Sequence, residues 1–168
     1  MTSQDNIGLI RRLLDQRAEF IIVGGVAAYM HGSSYPTDDV DIVAPFSPDN
    51  ISRILEALAP LHPRHAITPG RRPITESADE IAGWKNLYVV TDAGRLDILG
   101  ELPPFANYDE VAARARKSTI GGLKCKVISI DDLITLKSHL GREKDRLVER
   151  ELRAIRERNQ RSDSEPDG

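Results

Sequence analysis

The segment Thr37-Asp38-Asp39-Val40-Asp41-Ile42 sets two carboxylates one residue apart at the head of an apolar run. On a strand, Asp39 and Asp41 project from one face while Val40 and Ile42 enter the core. Two like charges about 4 Å apart repel by roughly 4 kcal/mol at an effective dielectric near 20. A hard divalent cation with oxygen ligands, Mg²⁺ or Mn²⁺, offsets that repulsion. The alternative is a pair of solvent-facing turn carboxylates. A third carboxylate stands in Arg95-Leu96-Asp97-Ile98-Leu99. Asp97 shares a strand face there with Arg95, so it is either a further metal ligand or a salt-bridge partner.

Upstream, the run Phe20-Ile21-Ile22-Val23 is too apolar for a half-exposed strand and reads as a central one. Gly24-Gly25 ends it, and a helix is expected from Val26 to His31. Glycines there let the backbone approach a phosphate closely, and the helix start offers free N–H groups and partial positive charge.

The remaining elements follow from periodicity and punctuation. Ile7, Ile10, Leu13 and Leu14 mark an amphipathic helix over 5–17. A second strand is expected over 40–44. Ser47-Pro48 opens a helix with a cap and a first-turn proline, and Ile51, Ile54, Leu55 and Leu58 form its buried face. Residues 62–73 read as a Pro- and Arg-rich loop. Residues 87–90 and 95–99 form a hairpin, and Asn107 caps a short helix over 108–115. Gly121-Gly122 turns a last hairpin. Ser129 to Asp132 has capping-box spacing before a helix over 133–139. Beyond Gly141 a long helix carries Val148, Leu152 and Ile155 as its buried stripe. These elements predict an α+β fold, a small mixed sheet flanked by helices with a C-terminal helical pair. Residues 1–128 would form the core, 129–160 the helices that pack on it and reach the site, and 161–168 a disordered tail.

Taken together, Gly24-Gly25, Asp39-Val40-Asp41 and Asp97 resemble the nucleotidyltransferase superfamily that includes DNA polymerase β. The resemblance implies that Asp39, Asp41 and Asp97 hold two Mg²⁺ ions while the glycine turn takes the triphosphate. Leu133-Ile134-Thr135-Leu136-Lys137, followed by Arg142-Glu143-Lys144-Asp145, is similar to the bacterial branch containing the abortive-infection (type IV) toxins. That similarity implies that Lys137, Lys144 and Asp145 face the nucleotide, with Lys137 also catalytic, and Arg142, by its charge, and Thr37 are further nucleotide-binding candidates. It implies an NTP substrate, an acceptor such as tRNA, a protein or a small molecule, and a cognate antitoxin as partner. A non-catalytic nucleotide-binding module is the alternative. Two positions depart from the pattern. Tyr35 stands where that branch usually carries Arg, and Gly25 stands where many superfamily members have Ser.

Other candidates are less distinctive. His31 either touches a ligand or ends its helix favourably, and His62, His65, Arg64, Arg71 and Arg72 either contact an acidic acceptor or form a solvated loop. Trp84 and Tyr88 are expected in the core. The chain has 168 residues, 40% of them hydrophobic, which suits one domain. A net charge of −3 gives no global field for nucleic acid. A single cysteine, Cys125, excludes an internal disulfide framework and a cysteine-rich zinc site. The polar start and the short apolar runs predict a cytoplasmic protein without a signal peptide or membrane span.

Overall fold

The computed structural model describes residues 4–164. Its first helix, α1 (Asn6–Asp15), is capped by Asp5, whose carboxylate accepts a hydrogen bond from Gly8 N, and it buries Leu9, Ile10 and Leu13. Strand β1 (Ile21–Val23) is buried at every residue and passes directly into α2 (Gly24–Met30). The helix thus starts at the glycines themselves, two residues before the position expected. Strand β2 (Val40–Val43) follows, then α3 (Pro48–Leu58), which Ser47 caps through a hydrogen bond from Asn50 N.

The loop expected over 62–73 contains a two-residue strand, β3 (Arg64–His65), and a short helix, α4 (Ala78–Ala82), comes after it. Strands β4 (Asn86–Thr91) and β5 (Gly94–Leu99) form the expected hairpin, α5 (Tyr108–Arg114) is capped by Asn107, and β6 (Arg116–Ile120) and β7 (Leu123–Val127) form the last hairpin. Helix α6 (Ile130–Leu140) begins beside its cap Ser129 and stops at Gly141, whose φ of 64° is left-handed. Helix α7 (Glu143–Ser164) then runs on through 161–164, where a disordered tail was expected. Residues 165–168 of that tail, and residues 1–3 of the polar start, lie outside the described residues.

The seven strands form one mixed sheet in the order β3-β4-β5-β2-β1-β7-β6. β1 pairs antiparallel with β2 and parallel with β7, and β2 pairs parallel with β5. Helices cover the sheet: α1 packs with α3, α6 with α7, and α2 with β2 and α6. The core joins Ile22, Ile42 and Ile98 of the central strands to Ile54 of α3, Leu133 of α6 and Leu152 of α7. Among the described residues no helix is long and apolar enough to cross a membrane.

Candidate active site

The central strands decide which carboxylates can meet. Val40 and Ile42 are fully buried, which sends Asp41 to the opposite face of β2. In the parallel β2–β5 ladder Asp41 is the register partner of Asp97, so the two side chains leave the sheet side by side. Asp39 sits two residues earlier, at the bend that leads into β2.

Two glycines and a threonine shape the floor next to them. Gly24 has a φ of 68°, and a Cβ there would overlap the Asp41 carboxylate. A Cβ on Gly25 would overlap the Thr37 side chain, whose hydroxyl donates to the Asp39 carbonyl at 3.3 Å. In this arrangement Gly24 packs against Asp41 of β2 and Gly25 against Thr37 before it, each closely enough that an added Cβ would force its neighbour to shift.

Crowding shifts the acidities. Burial first, then the neighbouring Asp97 and Asp39, pushes the Asp41 carboxyl up to about 7, against weaker opposing pulls from Lys137 and Arg95. Asp39 is also raised, by burial and by Asp97 and Asp38, with Arg95 opposing. The Arg95 guanidinium is the nearest relief, donating from Nε to Asp97 Oδ1 at 2.8 Å. The salt bridge that the sequence left open for Asp97 is therefore made.

A second cluster faces the first from the C-terminal helices. Lys137 is 8% exposed, and its ammonium donates to Asp145 Oδ1 at 3.3 Å. Arg142 Nε donates to the other Asp145 oxygen at 2.6 Å. Burial alone would raise the Asp145 carboxyl, but these two cations outweigh it and hold it below its ordinary value. Lys144 is exposed, and its charge acts on Asp39.

Apart from Arg95, these groups line a single cleft of about 610 Å³. Gly24, Gly25, Thr37, Asp39, Asp41 and Asp97 form one side of it, and Lys137, Arg142, Lys144 and Asp145 form the other. No candidate for nucleotide or metal lies elsewhere. Three acidic, histidine or cysteine side chains do not converge on a common point among the described residues. The donor set nevertheless has the chemistry of a hard cation's ligands, all carboxylate oxygens over a glycine cradle.

The secondary candidates fall away from this centre. His31 Nε2 bonds the Ile128 carbonyl at 2.7 Å, which ties the end of α2 to the link between β7 and α6. His65 and Arg72 both engage Glu76, at the outer edge of the sheet. Trp84, expected in the core, is 37% exposed. Tyr88, also expected in the core, lines the cleft because it is the register partner of Asp97 in the β4–β5 hairpin. Sequence reasoning missed that role, although the tight turn between Thr91 and Gly94 fixes the pairing. Glu101 and Pro103 also line the cleft, with no signal in the sequence. Tyr35 lines it too, where a cation would be usual for the toxin-containing branch.

Comparison with known proteins agrees with this architecture. Residues 88–165 match a family described as nucleotidyl transferase of unknown function (DUF2204), a span that includes Asp97 and the Lys137–Asp145 cluster. No curated protein matches the chain. Among solved structures, a protein from Thermotoga maritima described as a candidate nucleotidyltransferase is 14% identical, with a TM-score of 0.54 over 86% of this chain and 90% of that one. ANT(2")-Ia, solved in complex with adenylyl-2"-tobramycin, is 13% identical, with a TM-score of 0.50 over 88% of this chain and 94% of that one. The mixed sheet with its flanking helices is the nucleotidyltransferase fold.

Proposed function

We propose that this chain transfers a nucleoside monophosphate from an NTP to an acceptor hydroxyl or phosphate, with pyrophosphate leaving. The observation that carries the reading is the shared cleft, where an acidic trio over a glycine turn faces a cationic wall. Asp39, Asp41 and Asp97 would hold Mg²⁺ or Mn²⁺, with Asp97 exchanging its Arg95 partner for the ion. When bound, the ion supplies charge neutralisation at the phosphates and acidifies the acceptor hydroxyl.

The chain's own groups do the rest. The backbone N–H groups at Gly24 and Gly25, at the start of α2, take up phosphate charge. Lys137 stabilises negative charge on the triphosphate, and Asp145 orients its ammonium. Arg142 and Lys144 extend the positive wall at the cleft mouth. Asp97 lies toward the side walled by Tyr88 and Leu99, which has no lysine and suits the acceptor. The Lys137 and Lys144-Asp145 arrangement further supports the toxin-like branch, in which the chain would act with a cognate antitoxin on tRNA or protein.

One observation favours a second reading. The Arg95–Asp97 bond satisfies the third carboxylate without metal, as a nucleotide-binding module without catalysis would. Incubation with each α-³²P-NTP, Mg²⁺ and cell extract separates the two. Transfer predicts labelled acceptor and released pyrophosphate, both lost in an Asp39→Asn/Asp41→Asn variant. Nucleotide binding with no label transferred from any of the four NTPs would replace transfer by the module, and the labelled species identifies the acceptor.

A further inference from the structure

A second cavity, of about 770 Å³, shares no lining residue with the cleft. It lies between the β6–β7 hairpin, the end of α1 and the start of α5. Phe20, which leads into β1, is in its wall, whereas Gly24, which leaves β1, is in the cleft. The two spaces therefore occupy opposite ends of the same strand. Because β7 runs parallel to β1 with Val127 abreast of Ile22, Lys124, Cys125 and Lys126 lie toward the Phe20 end.

The lining has two characters. Leu14, Ala18, Phe20 and Cys125 make an apolar surface. Lys117, Lys124, Lys126 and Arg17 also line it, and Glu19 is the one acidic residue in the wall. Lys117 and Lys126 are direct register partners in the β6–β7 ladder. Like charges placed opposite each other destabilise a sheet. Residues 116–127 carry Arg116, Lys117, Lys124 and Lys126 and no acidic residue, in a chain whose net charge is −3. Among the described residues, none of the three cavity lysines nor Arg17 has a carboxylate within ion-pair distance.

Two further details belong to the same place. Tyr108 is 8% exposed and lines the cavity, and burial together with the neighbouring Glu19 carboxylate raises its phenol above the ordinary value. Arg17 holds a left-handed φ of 56°, a conformation that non-glycine residues rarely adopt.

We propose that this cavity is a binding site, separate from the transfer cleft, for a small organic anion with an apolar body. The apolar part would rest on Leu14, Ala18 and Phe20, and the negative group would be met by the lysines that line the same space. The volume is that of a small-molecule site. A nucleic-acid backbone would use the lysines but leave the apolar floor bare.

The probe is 8-anilinonaphthalene-1-sulfonate, titrated into the full chain by fluorescence beside its neutral analogue N-phenyl-1-naphthylamine. Saturable one-site binding of the sulfonate is expected, with the neutral analogue weaker by about tenfold. Lys117→Gln/Lys126→Gln should weaken sulfonate binding by about tenfold, the scale of two charged contacts. Arg142→Gln/Lys144→Gln, at the cleft, should change it less than about twofold. Circular dichroism confirms that both variants are folded, as expected for exposed side chains. Absence of saturable binding, equal binding of the neutral analogue, or loss in the cleft variant alone would overturn the proposal. Displacement of the sulfonate by a single-stranded oligonucleotide, sensitive to the same two lysines, would overturn it in favour of a nucleic-acid surface.

Discussion

Asp41 and Glu76 are both carboxylates enclosed by the fold, one in the cleft and one at the outer edge of the sheet. Each Glu76 oxygen has its own donor: Arg72 engages one, while His65 Nε2 at 2.9 Å and Thr75 N at 3.2 Å engage the other. Arg72 above all, then His65, outweighs burial and lowers the Glu76 carboxyl to about 2. Asp41 meets burial and two further carboxylates instead, and rises to about 7. Arg72, Glu76 and His65 form a clasp that is complete without any ligand. The cleft concentrates charge that the chain's own residues only partly relieve, which is what the proposed metal and triphosphate would use. The difference separates charge that holds the fold from charge that, on the proposed reading, awaits a substrate.

Removing the cleft charge should act on chemistry and stability in opposite directions. Asp39→Asn/Asp41→Asn is expected to reduce transfer by on the order of 10³-fold or more in label-transfer kinetics. The same variant should melt at a higher temperature than the parent in metal-free buffer above pH 7, because the repulsion is gone. Unchanged turnover would mean that the site lies elsewhere.

Lys137→Ala should cost on the order of 2 to 4 kcal/mol in kcat/KM for the NTP. Lys85→Ala, at an exposed position outside the cleft, is the comparison and should cost almost nothing. Equal, small effects at both would confine the site to the sheet side of the cleft.

The clasp should behave in the reverse sense. Glu76→Gln leaves His65 and Arg72 without their carboxylate and should lower stability by about 1 to 2 kcal/mol in urea unfolding. kcat/KM should not change. A loss of activity without loss of stability would erase the distinction between the two regions.

The last effect is in the pH profile of metal-free stability. The Asp41 carboxyl rises from 3.8 unfolded to about 7 folded, so its contribution is present below about pH 4 and is lost as pH rises through 7. Glu76 falls from 4.5 to about 2, so its contribution is present above about pH 4.5 and is lost as pH falls toward 2. Urea midpoints of Asp41→Asn should lack the decline between pH 4 and 7, and those of Glu76→Gln should lack the acid-side loss. The same profile in parent and both variants would contradict these assignments.

The cleft groups were legible wherever a local rule fixes direction. Alternation along a strand sends Asp41 away from Val40 and Ile42 and isolates Asp97 from Leu96 and Ile98, whereas Asp39, expected on the same strand, lies at the bend before β2. The Ser129 cap and the apolar run after it place Lys137 on a helix that leaves the core. The adjacency of Asp41 and Asp97 was expected through the family resemblance and not from any local rule, because β2 and β5 meet only after two other strands and two helices have intervened in sequence. Strand β3 was hidden by Pro63 and Pro73 around it, since proline argues against a strand. Helix α4 is too short for a hydrophobic period. Ser77, which accepts from Glu80 N at 3.2 Å, was its readable sign. For Asp97 the sequence named both partners, ion and Arg95, and side-chain geometry was needed to show that Arg95 is engaged.

Calorimetric titration of ATP, GTP, CTP and UTP into the protein, with Mg²⁺ and then with chelator, bears most directly on the cleft. At least one nucleotide should bind with Mg²⁺ far more tightly than without it, and Asp41→Asn should remove most of that difference. Equal affinity with and without the metal, or a metal effect that persists in Asp41→Asn, would contradict a carboxylate site built to hold a metal–triphosphate complex.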